Sequence, residues 1–246
     1  MSESSLKLEL RLIMEKLSGR ISFGRSLSAN AWNPKCLDLL PGERILVVSP
    51  HPDDDAIGCG GTILKALAMG KAVRICYLSL PTIGTRSLSE RRDEIMKSLK
   101  VLGVSEYSLN EHEFPETVRA LRDIIRSELD EWKPDCVLVP SPLENHSQHI
   151  MSFKAYVEAM RASQRKIATA LYEVWGPVVP NVVVDVTGYT DKKSKSIAAH
   201  VSQVEQVDYV RMAKALNEYR AISSGRSGYA EAFLYLEGED LLRMFP

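Results

Sequence analysis

From Glu43 onward, short β-branched runs alternate with amphipathic stretches of helical period, and that alternation narrows the available folds more than any other feature. Arg44–Ser49 (RILVVS) follows Pro41-Gly42 and reads as a fully buried parallel strand. Ile57–Ala68 reads as a helix ended by Gly70, and Ala72–Leu80 as a second strand. Arg86–Leu102 predicts a helix closed by Gly103, and Glu116–Trp132 a third, with Val118, Leu121, Ile124, Ile125 and Leu129 on one face. The strand Asp135–Pro140 and a helix over His149–Met160 follow. Val182–Val186 is strand-like, Asp191–Tyr219 helical in character, and Ala230–Leu236 strand-like again. The predicted class is α/β: a Rossmann-like three-layer fold whose mostly parallel sheet carries helices on both faces.

The first forty residues differ. Leu6, Leu8, Leu10, Leu12, Ile13 and Leu17 mix helical and alternating spacing, with Gly19 as a stop. Residues 1–40 are therefore read as an N-terminal helical extension and residues 41–246 as the main domain. A docking helix and an oligomerisation arm are both open readings of the extension, the second implying a homo-oligomer.

Charge and composition exclude several classes of function. Lys+Arg number 31 against 32 Asp+Glu, so the electrostatic footprint of a general nucleic-acid binder is missing. No apolar run approaches the ~20 residues of a membrane span, and the acidic N-terminus is not a secretory signal. Four cysteines without a CxxC pair, with Cys76 and Cys136 inside apolar runs, read as free thiols. The expectation is a soluble cytoplasmic protein.

Ligand crevices in open α/β sheets lie at the carboxyl ends of the strands, and two unusual polar clusters fall there. One is Ser49-Pro50-His51-Pro52-Asp53-Asp54-Asp55; the other is Asn145-His146-Ser147-Gln148-His149. Three adjacent carboxylates repel one another unless a cation neutralises them. Imidazole nitrogen with carboxylate oxygen suits zinc, which in catalytic sites takes three protein ligands and keeps one position open. His51, one acid of the cluster and a histidine of the second would complete such a set. Taken singly, each cluster also reads as a helix cap or a solvated turn; their arrival at one sheet edge favours a shared site. Gly58-Cys59-Gly60-Gly61 lacks the full G-x-G-x-x-G spacing and follows three acids that would repel a pyrophosphate. These glycines read instead as letting a helix start pack close to a strand.

Val47-Val-Ser-Pro-His-Pro-Asp-Asp-Asp55 with Gly58–Thr62, followed by His146-Ser-Gln-His149, closely resembles the signatures of the PIG-L/LmbE superfamily of zinc-dependent N-acetylglucosaminyl deacetylases. Weaker matches at Arg91-Arg-Asp-Glu94, His200-Val-Ser-Gln203 and Ala230-Glu-Ala-Phe233 extend the likeness over about residues 43–236. The resemblance implies His51, Asp54 and His149 as zinc ligands, Asp53 as general base and His146 as electrophilic or general-acid histidine. It implies Arg91 as a substrate-contacting residue, with Arg92 a competing choice. Where the family usually has H-P-D-H, this chain has Gln148, which cannot supply charge to an imidazolium at His146; Asp55 stands where Glu is commoner. His200 reads as structural or as a residue that supports the site from behind the ligands.

The implied activity is hydrolysis of the acyl amide, most simply acetyl, of an N-acetylglucosamine-type amino-sugar conjugate, a small-molecule substrate. Such an amide is a poor electrophile and water a poor nucleophile, faults that a Lewis-acidic ion corrects. Zinc is the default ion, although Fe(II), Co(II) or Mn(II) fits a mixed N/O site. The alternative reading is a non-catalytic zinc-dependent sugar-binding or regulatory protein on the same scaffold.

Overall fold

A computed structural model describes residues 34–82, 84, 86–163 and 165–246. The described strands are β1 (Lys35–Leu37), β2 (Arg44–Ser49), β3 (Ala72–Tyr77), β4 (Glu106–Leu109), β5 (Cys136–Pro140), β6 (Ala168–Tyr172), β7 (Val182–Asp185) and β8 (Ala230–Leu236). They form an 8-stranded sheet in the order β1-β7-β8-β6-β5-β2-β3-β4. β8 alone runs against its neighbours, pairing antiparallel with β6 and β7, while every other pairing is parallel. The helices are α1 (Asp54–Ala68), α2 (Leu88–Leu102), α3 (Val118–Trp132), α4 (Ser147–Ser163), α5 (Thr190–Ala198), α6 (Val201–Val204), α7 (Tyr209–Ser223) and α8 (Asp240–Met244).

The central strand β2 shows why the sheet is covered on both faces. Ile45 and Val47 enter one apolar cluster with Ile63, Ile95 and Leu99, whereas Leu46 and Val48 enter another with Leu121, Ile125 and Tyr156. A strand buried on both faces reads as a continuous apolar run, which is how Arg44–Ser49 appears in the sequence. Helix boundaries follow ordinary local chemistry. Ser87 and Glu90 form a capping box at the start of α2, and Gly103 ends it at φ 81°. Thr117 accepts from the Ala120 amide at the start of α3, whose Leu121, Ile125, Leu129 and Trp132 face the core.

Several expectations change. Lys35–Leu37, inside the stretch read as a helical extension, is a strand that pairs with β7; the helix expected over Leu6–Leu17 lies outside the described residues. The β4 and β6 strands had no counterpart in the sequence reading. Asp191–Tyr219 is broken into three helices at His200 and Asp208, where the backbone leaves helical geometry. Cys36, Cys59, Cys76 and Cys136 are all free, and burial pushes the Cys76 and Cys136 thiols up to about 12. No described helix is long and apolar enough to cross a membrane.

Strand order positions the site. From β2 the chain steps outward to β3 and β4, then returns to β5 on the other side of β2. At such a reversal the loops leaving the two strands diverge and open a crevice. The loops beyond β2 and β5 are the two that carry the polar clusters.

Candidate metal centre and cleft

The loop after β2 is stapled before it reaches the helix. Ser49 Oγ donates to the His51 carbonyl at 2.7 Å and accepts from the Asp55 amide at 3.2 Å, and Ser79 Oγ donates to the Pro50 carbonyl at 2.8 Å. Pro50 and Pro52 fix φ on either side of His51. The turn into α1 forces Asp53 to φ 133°, a left-handed conformation rarely adopted by a residue with a Cβ. Asp53, Asp54 and Asp55 are all buried.

Three donor atoms converge from the two loops. His51 Nδ1 lies 3.1 Å from Asp54 Oδ2, His149 Nε2 lies 3.2 Å from the same oxygen, and the two ring nitrogens are 3.3 Å apart. Ligand atoms about 2.0–2.2 Å from one tetrahedral ion stand roughly 3.3–3.6 Å from each other, so this triangle is close to the size one zinc-like ion requires. The outer partners prepare the same set. Gln148 Oε1 is 2.5 Å from His51 Nε2, and Glu144 Oε2 is 3.3 Å from His149 Nδ1. With each outer nitrogen donating to its oxygen, the inner nitrogens are the ones that would turn a lone pair inward once an ion takes the place of the proton shared with Asp54. Two lone pairs and a carboxylate facing inward is a donor set for a cation.

The charges agree. Burial pushes Asp54 up, but His149 and His51 outweigh it and hold the carboxyl well below its ordinary range. Burial likewise opposes a charge on His149, yet Asp54 and Glu144 raise its pKa to about 10. Burial, then the charge of Asp54, raises Asp53 well above the usual carboxylate range, with Arg91 working against the shift. Burial, then the charge of Asp54, raises Asp55 to about 6, while its carboxylate accepts from the Tyr77 hydroxyl at 3.2 Å.

His146 stands next to this triangle. Its ring centroid is 4.9 Å from those of both His51 and His149, and a nitrogen from each of the three rings falls within 4.8 Å of the others. Burial, then the neighbouring imidazoles, lowers its pKa, and its Nδ1 is buried without a hydrogen-bond partner. The acid missing at position 148 bears on His51 instead, since the Gln148 carbonyl contacts that ring.

The two arginines separate. Arg91 is completely buried, donating to Glu94 Oε2 at 2.8 Å and Ser202 Oγ at 2.7 Å, while its Nε and Nη2 lack partners. It does not line the open cleft. Arg92 points outward and pairs with Glu111 at 2.6 Å. His200 is buried without a partner at either ring nitrogen, and burial, then Arg91, lowers its pKa to about 3. A cleft of about 190 Å³ opens over His51, Asp53, Asp54 and His146.

Glu144 is the functional residue that sequence reading missed. Its carboxylate also accepts from the amides of Val174 (2.7 Å) and Trp175 (3.0 Å). The only sequence signal was an acid adjoining the second polar cluster, two residues before His146.

Comparison with known proteins places these features in a group. Residues 46–160 match the family model PIG-L, described as GlcNAc-PI de-N-acetylase. The chain is 28% identical over 188 residues to a diacetylchitobiose deacetylase of Thermococcus kodakarensis, covering 65% of this chain and 70% of that protein. It is 27% identical over 185 residues to a probable N-acetyl-alpha-D-glucosaminyl L-malate deacetylase 2 of Bacillus anthracis, covering 65% of this chain and 80% of the relative. The N,N'-diacetylchitobiose deacetylase of Pyrococcus horikoshii superposes with a TM-score of 0.70 at 24% identity, over 82% of this chain and 85% of that one, and so shares the fold.

Proposed function

The chain belongs to the PIG-L/LmbE superfamily, and from that premise we propose that it is a zinc-dependent amidohydrolase that removes the acetyl group from an N-acetylglucosamine-type amino-sugar conjugate. One observation carries the reading: the 3.1–3.3 Å triangle of His51, Asp54 and His149 donors, with Asp53 on the same cleft. His51, Asp54 and His149 would hold the ion, and the Asp54 carboxylate makes this triad a better partner for a dication than three neutral imidazoles. When bound, a divalent ion supplies Lewis acidity toward the amide carbonyl and toward water.

Asp53 takes a proton from the attacking water as the oxygen–carbon bond forms, and a raised pKa suits a base that must later return that proton. The same proton then passes to the amide nitrogen as the carbon–nitrogen bond breaks, leaving a free amine and acetate. His146, kept neutral by burial and by the adjacent rings, donates a hydrogen bond to the carbonyl oxygen as negative charge develops there. Arg91 acts through charge on Asp53 from beneath the cleft and keeps that base from rising further. Glu144 and Gln148 fix the ligand rings. The relatives named above carry both a neutral disaccharide and a malate conjugate in their names.

The test is acetate release from a panel of N-acetylated amino sugars, paired with elemental analysis. Asp53→Asn should retain the metal and lose about 10²–10⁴-fold in kcat, whereas His149→Ala should lose metal and activity together. Metal-replete wild type that releases nothing across the panel would overturn the hydrolase reading in favour of a sugar-binding protein. Loss of metal from Asp53→Asn would overturn the division of labour between the two aspartates.

A further inference from the structure

The walls of the cleft differ in kind from its floor. Beyond the His/Asp centre the lining includes Trp175, Tyr209, Gln203 and Gln148, and among the described residues it includes no lysine or arginine. Cations close by in the chain are committed elsewhere. Arg91 is buried against Glu94, Arg86 is bound through one nitrogen to both oxygens of Glu205, and Arg220 is buried against Glu173. Arg211, two residues beyond Tyr209 on α7, does not share its helix face.

Trp175 is 39% exposed, and the Tyr209 ring meets it in a T-shaped contact with centroids 5.4 Å apart. Its backbone is tied to the reaction centre, because the Glu144 carboxylate that contacts His149 Nδ1 also accepts the Trp175 amide. The adjoining Gly176 comes so close to the 140s loop that a Cβ there would lie 2.4 Å from the Leu143 carbonyl oxygen. The backbone that carries the indole is thus held at a set position from the His/Asp centre, and the ring rests against Tyr209. Burial, then Asp53 and Asp54, raises Tyr209 to about 12, so its hydroxyl keeps its proton and remains a donor. No side-chain hydrogen bond engages the Gln203 amide among the described residues, which leaves it both donor and acceptor capacity.

We propose that Trp175, Tyr209 and Gln203 form a subsite for an uncharged sugar ring, so that the substrate is a neutral N-acetylated sugar or glycoside and not a phosphate- or carboxylate-bearing conjugate. The indole offers an apolar face to the C–H face of a pyranose, and Tyr209 and Gln203 offer neutral partners to its hydroxyls. An anionic group bound at the Trp175, Tyr209 and Gln203 end, away from the ion, would lose its water without gaining a lysine or arginine counter-charge from the lining. This inference rests on the amidohydrolase reading above and narrows its substrate.

The experiment compares metal-replete enzyme on methyl N-acetylglucosaminide and on N-acetylglucosamine 1-phosphate, with Trp175→Ala and Trp175→Phe alongside. The expected result is a kcat/KM at least about tenfold higher for the neutral substrate. Trp175→Ala should raise its KM about tenfold with kcat and metal content little changed, and Trp175→Phe should recover most of the loss. Equal or better turnover of the phosphate, or a KM in Trp175→Ala within about twofold of wild type, would overturn the proposal. If neither compound is hydrolysed, calorimetric titration of the loaded protein with methyl N-acetylglucosaminide decides. Saturable binding that weakens in Trp175→Ala upholds the subsite, and absence of such binding overturns it; the hydrolase reading stands or falls on the acetate-release panel.

Discussion

Asp53 bears two unfavourable conditions at once: a φ of 133° and a buried carboxyl whose ionisation Asp54 opposes. Strain of this kind costs about 1–3 kcal/mol and persists only where surrounding structure enforces it. Asp53→Gly removes both conditions, because glycine tolerates that φ and brings no acid. The variant should melt about 2–4 °C higher per kcal/mol recovered while losing hydrolysis, a trade of stability against activity that calorimetry with a parallel acetate assay would read. An unchanged or lower Tm would show that the backbone at Asp53 is unstrained. The acids and histidines of the two clusters were recognisable one by one, since their residue types and spacing are local. Glu144 was not, because its value comes from three partners, His149, Val174 and Trp175, that lie on two other segments.

The glycine-rich start of α1 is an element shaped by its neighbours. A Cβ at Gly58 would lie 2.4 Å from the Tyr172 ring on β6, and one at Gly61 would lie 2.6 Å from Val186. Between them Cys59 departs from helical geometry at φ −143°, and the amides of Gly61 and Thr62 bond Glu231 on β8, itself paired with buried Lys193. Gly58→Ala should therefore destabilise the fold by about 1–3 kcal/mol through overpacking, seen as a lower urea midpoint with an unchanged slope. A neutral effect would mean that Tyr172 can move, although its hydroxyl donates to the Val48 carbonyl at 2.8 Å. Close packing of this run on a strand was legible; which strand was not. β6 reads Ala-Thr-Ala-Leu-Tyr, and alanine is depleted in strands, so burial between β5 and β8 decides its state more than propensity does.

For the molecule as a whole, the proposed metal centre would link ion binding, pH and stability. Without an ion His149 has a pKa of about 10, raised above its unfolded value near 6.5. The stability it contributes is fully present below pH ~6.5 and is lost as pH rises through about 10. A bound ion must displace that proton, so its affinity should increase toward higher pH within this window. The Tm gained on adding zinc should be larger at pH 9 than at pH 6.5, and His149→Ala should abolish both the gain and its pH dependence. A zinc-induced shift that is flat across this range would show that His149 releases no proton on binding.

By itself the amino-acid sequence determined the α/β alternation and the two polar clusters at strand ends, because period, residue type and spacing act over a few residues. Tertiary structure alone decided which atoms meet. His51 and His149 are 98 positions apart and touch only because β5 returns beside β2. Packing also carried Gln148 to His51, sealed Arg91 beneath the cleft and set Trp175 over it. Strand order and the fit of close-packed side chains are properties of the whole chain, and no short window of residues contains them.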